Sequence, residues 1–137
     1  MIRNASHDDI PRIVAIRATV RENRLSDPSK VTPTDIEWFV NHGPIHVWQD
    51  ADGVQGFAAG DPRDGSIWAL FVDPAREGQG IGQALISAAC ASLRQAGHPV
   101  ATLRTDAGTR AERFYLRNGW TAQGVNARGE MVLTKSI

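Results

Sequence analysis

Gly78, Gly80 and Gly82 stand on alternate positions between an apolar run, Ile67 to Val72, and a stretch where Ile81, Leu85, Ile86, Ala89, Cys90 and Leu93 share one helical face. Glycines let backbone come close to a ligand, and the N–H groups of a helix's first turn have no partner within the helix. A strand, a glycine loop and a helix start in that order make an anion site, with a phosphate or pyrophosphate as its natural guest. A P-loop would place Lys-Ser or Lys-Thr after the last glycine, but Gln83-Ala84 follows Gly82. A dinucleotide fingerprint would need glycine at position 83, which is Gln; Asp106 falls at a suitable distance, but no second βαβ unit follows. A tight strand-to-helix turn with no ligand is the plainer reading, although three glycines in five residues exceed what a turn requires.

The elements that must position this loop are legible in turn. The run at 67–72 is apolar on both alternating faces, with Ile67, Ala69 and Phe71 on one and Trp68, Leu70 and Val72 on the other. That pattern predicts a strand covered on both sides, in the middle of a sheet. Upstream, Met1 to Ala5 reads as a short strand, and Ser6 to Asp9 has the spacing of a capping box before Ile10, Ile13, Val14 and Val20. The polar segment from Arg21 to Lys30 reads as a surface loop. Thr32-Pro33-Thr34-Asp35 opens a second helix, with Ile36, Phe39 and Val40 as its apolar edge and Asn41-His42-Gly43 at its end. Ile45 to Gln49 and Val54 to Ala59 form a hairpin across Asp50 to Gly53.

After the long helix, Gly97 and Pro99 mark a stop, and Val100 to Thr105 is the next strand. Thr109 to Glu112 is another capping box, opening a helix that carries Phe114 and Tyr115 and closes at Asn118-Gly119. Trp120 to Val125 and Met131 to Lys135 make a final hairpin. The expected fold is therefore α/β, an α+β mixed sheet in the order βααβββαβαββ with helices on both faces. The strands at 67–72 and 100–105 are joined by a helix, so they should be parallel with a right-handed crossover.

The 137 residues include 15 basic and 15 acidic ones, for a formal net charge of zero, and 42% are hydrophobic. One domain over 1–137 with a substantial core is expected. Zero net charge argues against nucleic acid, which is bound largely through surplus Lys and Arg. The single cysteine, Cys90, allows no intrachain disulfide and reads as a small buried hydrophobe. No apolar run approaches a membrane span and no signal-peptide core stands at the amino end, so a soluble cytoplasmic protein is expected. His42 and His46 lack partners at metal-ligand spacing, and no metal site is expected.

Two segments carry a resemblance. FVDPAREGQGIGQALI resembles the acyl-CoA loop of the GCN5-related N-acetyltransferases, the GNAT superfamily, with Gly80 and Gly82 in its two glycine places and Glu77 where the family has Gln or Arg. TRAERFYLRNGW resembles the family's later motif through Ala111, Phe114, Tyr115, Gly119 and Trp120, while Gly108 stands where the family often has Asn. The resemblance implies a GNAT-like fold whose strands at 67–72 and 100–105 splay apart, with the pantetheine arm of acetyl-CoA between them. It implies backbone contacts from Leu70, Phe71 and Val72, and a pyrophosphate cradle from Glu77, Gly78, Gln79, Gly80, Ile81, Gly82 and Gln83. Thr109, Ala111, Arg113 and Phe114 are implied as further coenzyme-binding positions. Arg76 or Arg113 would supply positive charge to offset Glu77.

The implied reaction is direct attack of a primary amine on the thioester through a tetrahedral intermediate. An N–H near Val72 would hold the oxyanion, and Tyr115 would protonate the leaving thiolate. As a residue alone, Tyr115 has a half-buried core tyrosine as its alternative reading, and the candidate bases Glu22, Asp61 and Asp64 read more plainly as surface charges. The acceptor would be a small-molecule or peptide amine, and the protein a monomer or homodimer. The other reading is a non-catalytic acyl-CoA-binding sensor module on the same fold.

Overall fold

The structure is a computed structural model that describes residues 1–19 and 32–137. Glu22, Val20 and the polar segment read as a surface loop lie outside the described residues. Seven strands form one mixed sheet: β1 (Ile2–Asn4), β2 (Ile45–Asp50), β3 (Gly53–Asp61), β4 (Ser66–Val72), β5 (Val100–Asp106), β6 (Thr121–Val125) and β7 (Glu130–Ser136). Their spatial order is β1-β2-β3-β4-β5-β7-β6, which puts β4 at the centre as its two apolar faces require. Among the described residues, four α-helices cover it: α1 (Ile10–Thr19), α2 (Pro33–His42), α3 (Ile81–Gln95) and α4 (Arg110–Arg117). The element order is the expected βααβββαβαββ.

The helix starts form for the reasons their sequences give. Thr32 Oγ1 accepts from Asp35 N–H, and Asp35 reaches back to the Thr32 N–H, with Pro33 at the first helical position. Ser6 N–H donates to the Asp9 carboxylate, which Arg3 also grips through two nitrogens at 2.8 and 2.9 Å. A short 3-10 turn over His7–Asp9 therefore precedes α1. On α1 it is Ile13 and Ile16 that are buried, three apart on one face, while Val14 turns outward.

α1 and α2 cover one face of the sheet, where Ile13, Ile16, Ile36 and Phe39 pack on Phe57, Ala69 and Phe71. α3 and α4 cover the other, where Leu85, Ile86, Leu93 and Tyr115 meet Ala58, Ala101, Leu103 and Leu133. Each such buried aliphatic or aromatic side chain contributes about 1.5–3 kcal/mol relative to exposure.

Strict alternation along β4 fails at one residue. Ala59 faces Ala69, but its neighbour Gly60 faces Ile67, so Trp68 is an extra residue, a β-bulge. Trp68 consequently packs with Ala69 and Phe71 on the α1/α2 side, its ring stacked on Phe39 at 4.2 Å between centroids. Ile67 joins Leu70 and Val72 under α3. The expected grouping of Ile67 with Ala69 and of Trp68 with Leu70 is corrected by that bulge. α3 lies directly over it, since a Cβ on Gly60 would stand 2.6 Å from Leu93 Cγ.

Candidate active site

β4 and β5 are parallel, yet they share a single registered pair, Ser66 with Thr102, closed by Thr102 N–H to Gly65 O at 3.2 Å. Past that point they separate, while β4 stays paired with β3 and β5 with β7. Backbone groups on the facing edges are thereby left without a strand partner, and a cleft of about 360 Å³ opens between them.

The direction of those groups follows from one bond. Asp73 N–H donates to Gln55 O on β3 at 2.8 Å. Successive residues of a strand point their N–H groups to opposite sides. Val72 N–H, and with it that of Leu70, therefore faces the cleft, whereas the backbone of Phe71 is turned to β3. Phe71 reaches the cleft through its ring.

At the carboxyl end of β4 the chain makes a 3-10 turn over Pro74–Arg76, capped by Asp73, and enters the glycine loop. Gly78 and Gly80 both have left-handed backbone, at φ 78° and 80°, which side-chain-bearing residues adopt only with strain. Gly80 is the N-cap of α3, and the first helical bond is Ala84 N–H to Gly80 O at 3.1 Å. The N–H groups of Ile81, Gly82 and Gln83 are therefore left for an anion. Gly82 has ordinary helical backbone; a Cβ there would touch the Phe114 ring at 3.5 Å and Val72 at 3.8 Å. Its smallness lets α3 close on the cleft wall.

Of the positions read from sequence, Leu70, Phe71, Val72, Glu77, Gly78, Gly80, Ile81, Gly82, Gln83, Ala111, Phe114 and Tyr115 line this cleft. Gln79, Thr109 and Arg113 do not. Thr109 caps α4, accepting from Glu112 N–H and donating to Asp106 O, and Arg113 turns back to Gly108 O. Glu112 completes the cap through Gly108 N–H at 2.8 Å. Arg76 lines the cleft but is paired with Asp50 at 3.0 Å and Asp52 at 2.6 Å. The cation beside Glu77 is instead Arg110, at 2.6 Å.

Tyr115 is 8% exposed and edge-on to both Phe114 and Trp120. Burial pushes its phenol well above the ordinary tyrosine range, with the nearby Cys90 adding to the effect. That shift favours the protonated phenol. Asp61 and Asp64 lie outside the cleft: Arg63 grips Asp61 through two nitrogens at 2.9 Å, and Asp64 accepts from Ser66. One carboxylate that sequence reading passed over does line the cleft. Glu130, 7% exposed at the start of β7, sits across from Asp106 on β5. Its signal in the sequence was an acidic residue directly before the apolar run Met131 to Leu133.

The residues present fit acetyl-CoA: an anion cradle of free helix N–H groups, left-handed glycines beside it, and strand edges able to bond an extended amide chain. Among the described residues no group of His, Cys, Asp and Glu could hold a metal, and no helix is long and apolar enough to cross a membrane.

This arrangement agrees with what the chain is similar to. Residues 41–122 match the acetyltransferase (GNAT) domain family, and the chain belongs to that family. Solved structures share the whole fold at low identity. Ard1 from Thermoplasma volcanium aligns at TM-score 0.82 and 20% identity, covering 100% of this chain and 97% of that one. Ribosomal-protein-alanine N-acetyltransferase from Brucella melitensis aligns at 0.78 and 22%, covering 100% and 99%. yncA from Salmonella typhimurium, solved with its cofactor acetyl-CoA, aligns at 0.76 and 20%, covering 99% and 92%. No curated protein matches the sequence.

Proposed function

We propose that this chain is a single N-acetyltransferase domain that moves an acetyl group from acetyl-CoA to a primary amine. The observation that carries the reading is the splay: one registered pair between β4 and β5, with Val72 N–H and the Tyr115 ring on the opening. Acetyl-CoA supplies a thioester, a carbonyl already activated toward an amine.

The chain's own groups then have distinct tasks. Leu70 and Val72 offer backbone groups to the extended arm, and the N–H groups of residues 81–83 hold the pyrophosphate. Val72 N–H is placed to stabilise negative charge developing on the carbonyl oxygen. Glu130 takes the proton that the amine gives up, directly or through water. The carbon–nitrogen bond forms first, giving a tetrahedral intermediate; as it collapses and the carbon–sulfur bond breaks, Tyr115 hands its proton to sulfur, and solvent then returns a proton to Tyr115 and takes one from Glu130.

A sensor module would have rested on an uncompensated Glu77 and a missing base. Arg110 beside Glu77 and Glu130 in the cleft support the enzyme instead. The test is thiol release from acetyl-CoA against a broad panel of primary amines. Amine-dependent release supports the reading; acetyl-CoA binding with no release for any amine overturns it.

A further inference from the structure

Gln55 is 5% exposed, a polar side chain buried between Val54 and Phe57 of the core. It stands where the pairing of β3 with β2 slips. Trp48 faces Gly56 and Gln49 faces Val54, so Gln55 is the extra residue of a second β-bulge. Its side chain turns toward α1, the side that Val54 also faces. A buried carboxamide needs partners at both ends. Gln55 Oε1 accepts from Arg12 Nη2 at 3.2 Å, and Nε2 donates to Asp50 Oδ1 at 3.3 Å. The amide cannot be reversed, because a guanidinium only donates and a carboxylate only accepts.

Each partner reaches one end of the turn that leads into the glycine loop. Arg12 donates to Asp73 Oδ2 and to Val54 O, both at 2.8 Å. The bond to Arg12 is the chief cause that holds the Asp73 carboxyl below the ordinary range. Asp50 pairs with Arg76 at 3.0 Å, and Asp52 holds the same guanidinium. Asp73 and Arg76 are the N-cap and the last residue of the 3-10 turn over Pro74–Arg76. The circuit closes through the main chain, where Asp73 N–H donates to Gln55 O at 2.8 Å. Gly78 and Gly80, both left-handed, follow directly on that turn.

Glycines leave a loop conformationally free, so its N–H groups stand ready for an anion only if the chain entering it is fixed. We propose that Gln55 is the positioning residue of the coenzyme loop. Through Arg12 and Asp50 it holds both ends of the turn from Asp73 to Arg76, and so presets Val72 N–H and the pyrophosphate cradle. The proposal rests on the acetyltransferase reading for the identity of the ligand, but the clamp is measurable without coenzyme.

The experiment compares Gln55→Glu, the same change with Asp50→Asn added, and Gly60→Ala. Gln55→Glu keeps the acceptor for Arg12 but sets a carboxylate against Asp50. Adding Asp50→Asn supplies an amide donor there and restores the bridge with donor and acceptor exchanged. Gly60→Ala strains the other end of β3 against Leu93 and controls for lost stability alone. In coenzyme-free protein, amide hydrogen exchange at Asp73, Ala75 and Arg76 should quicken at least about tenfold in Gln55→Glu. It should return toward wild type in the double variant and stay unchanged in Gly60→Ala. Acetyl-CoA affinity, read by calorimetry, should follow the same order, with about a tenfold loss in Gln55→Glu. Gln55→Met, similar in size and lacking both bonds, should match Gln55→Glu and replaces it if that variant does not fold. Exchange unmoved in the Gln55 variants, no recovery on adding Asp50→Asn, or equal losses in Gly60→Ala would each overturn the clamp. Wild-type protein that shows the exchange pattern but does not bind acetyl-CoA removes the acetyltransferase reading and keeps the clamp. Acetyl-CoA binding that the Gln55 variants leave intact does the reverse.

Discussion

The Arg110 guanidinium lies 2.6 Å from the Glu77 carboxylate, so the acidic residue of the glycine loop is neutralised from α4. Both side chains are solvent-exposed, and such a pair adds little to stability. Its effect is on the field at the glycine loop. Glu77→Gln should release Arg110 toward the coenzyme phosphates and tighten acetyl-CoA binding by about three- to tenfold at low ionic strength, the gain shrinking as salt screens it. Arg110→Gln should weaken binding. Calorimetry at two salt concentrations checks both, and weaker binding by Glu77→Gln would contradict the account.

Gly80 combines left-handed backbone with open space where a Cβ would stand. An L-residue there costs about 1–2 kcal/mol in backbone strain and also enters the open space proposed for the coenzyme. Gly80→Val should lower acetyl-CoA affinity at least about tenfold. Gly97 has the same backbone hand and the same open surroundings at the far end of α3. Gly97→Val should therefore lose stability while coenzyme binding is kept, which separates strain from site damage.

Tyr115→Phe removes a hydroxyl that no described residue hydrogen-bonds, so folding and coenzyme affinity should hold. The chemical step should slow by about 10²–10⁴ in single-turnover measurements. Because burial raises the phenol's pKa, the acid form should persist, and the wild-type rate should show no decline at the ordinary tyrosine value of 10.0. A Tyr115→Phe rate within about threefold of wild type would make the ring packing alone.

His46 on β2 is paired with Asn4 and Ala58, and its Nε2 is buried with no hydrogen-bond partner among the described residues. Burial lowers its pKa from 6.5. The folded state therefore favours neutral imidazole, and the unfolded chain takes up the proton first as pH falls. Stability from this site is complete above pH 6.5 and is lost as pH drops from there to the folded pKa. Melting temperature should decline over that window, and His46→Leu should flatten the decline. Asp9, lowered from 3.8 chiefly by its hydrogen bonds to Arg3, has its own loss beginning only below that value.

Gly60→Ala should destabilise by about 1–3 kcal/mol, since its Cβ would overlap the branch point of Leu93 rather than a flexible tip. Denaturant unfolding measures it. Leu93→Ala on that background should recover part of the loss, which an unrelated strain at the bulge would not allow.

The parts of the fold set by local chemistry were legible in sequence: the caps at Thr32 and Thr109, the glycine loop, and the order of elements. The parts set by pairing were not. Trp68 changes face because β3 supplies one residue opposite two, and no periodicity within 67–72 carries that. The site shows the same division. Gly80, Val72 and Tyr115 sit in motifs or beside them. Arg110 and Glu130 come to line one cleft only because β7 lies against β5 and α4 borders the same opening. Arg113, favoured as a cation from its place in the motif, is on the wrong side of α4 and bonds Gly108 O instead.

The order β5-β7-β6 has a consequence for synthesis. β1 to β4 lie in the sheet in the order in which they are made, and β2, β3 and β4 join by adjacent antiparallel pairing. β5 must wait, because its outer neighbour is the last of the seven strands to be made. Until residues 130–136 arrive, β5 presents an open edge, the form of intermediate most prone to pair with another chain. The β5 wall of the cleft thus lacks its outer partner until the end of synthesis. A nascent chain stalled before β7 should contain a formed first half and an unformed site, and it would depend on chaperones where the finished protein does not.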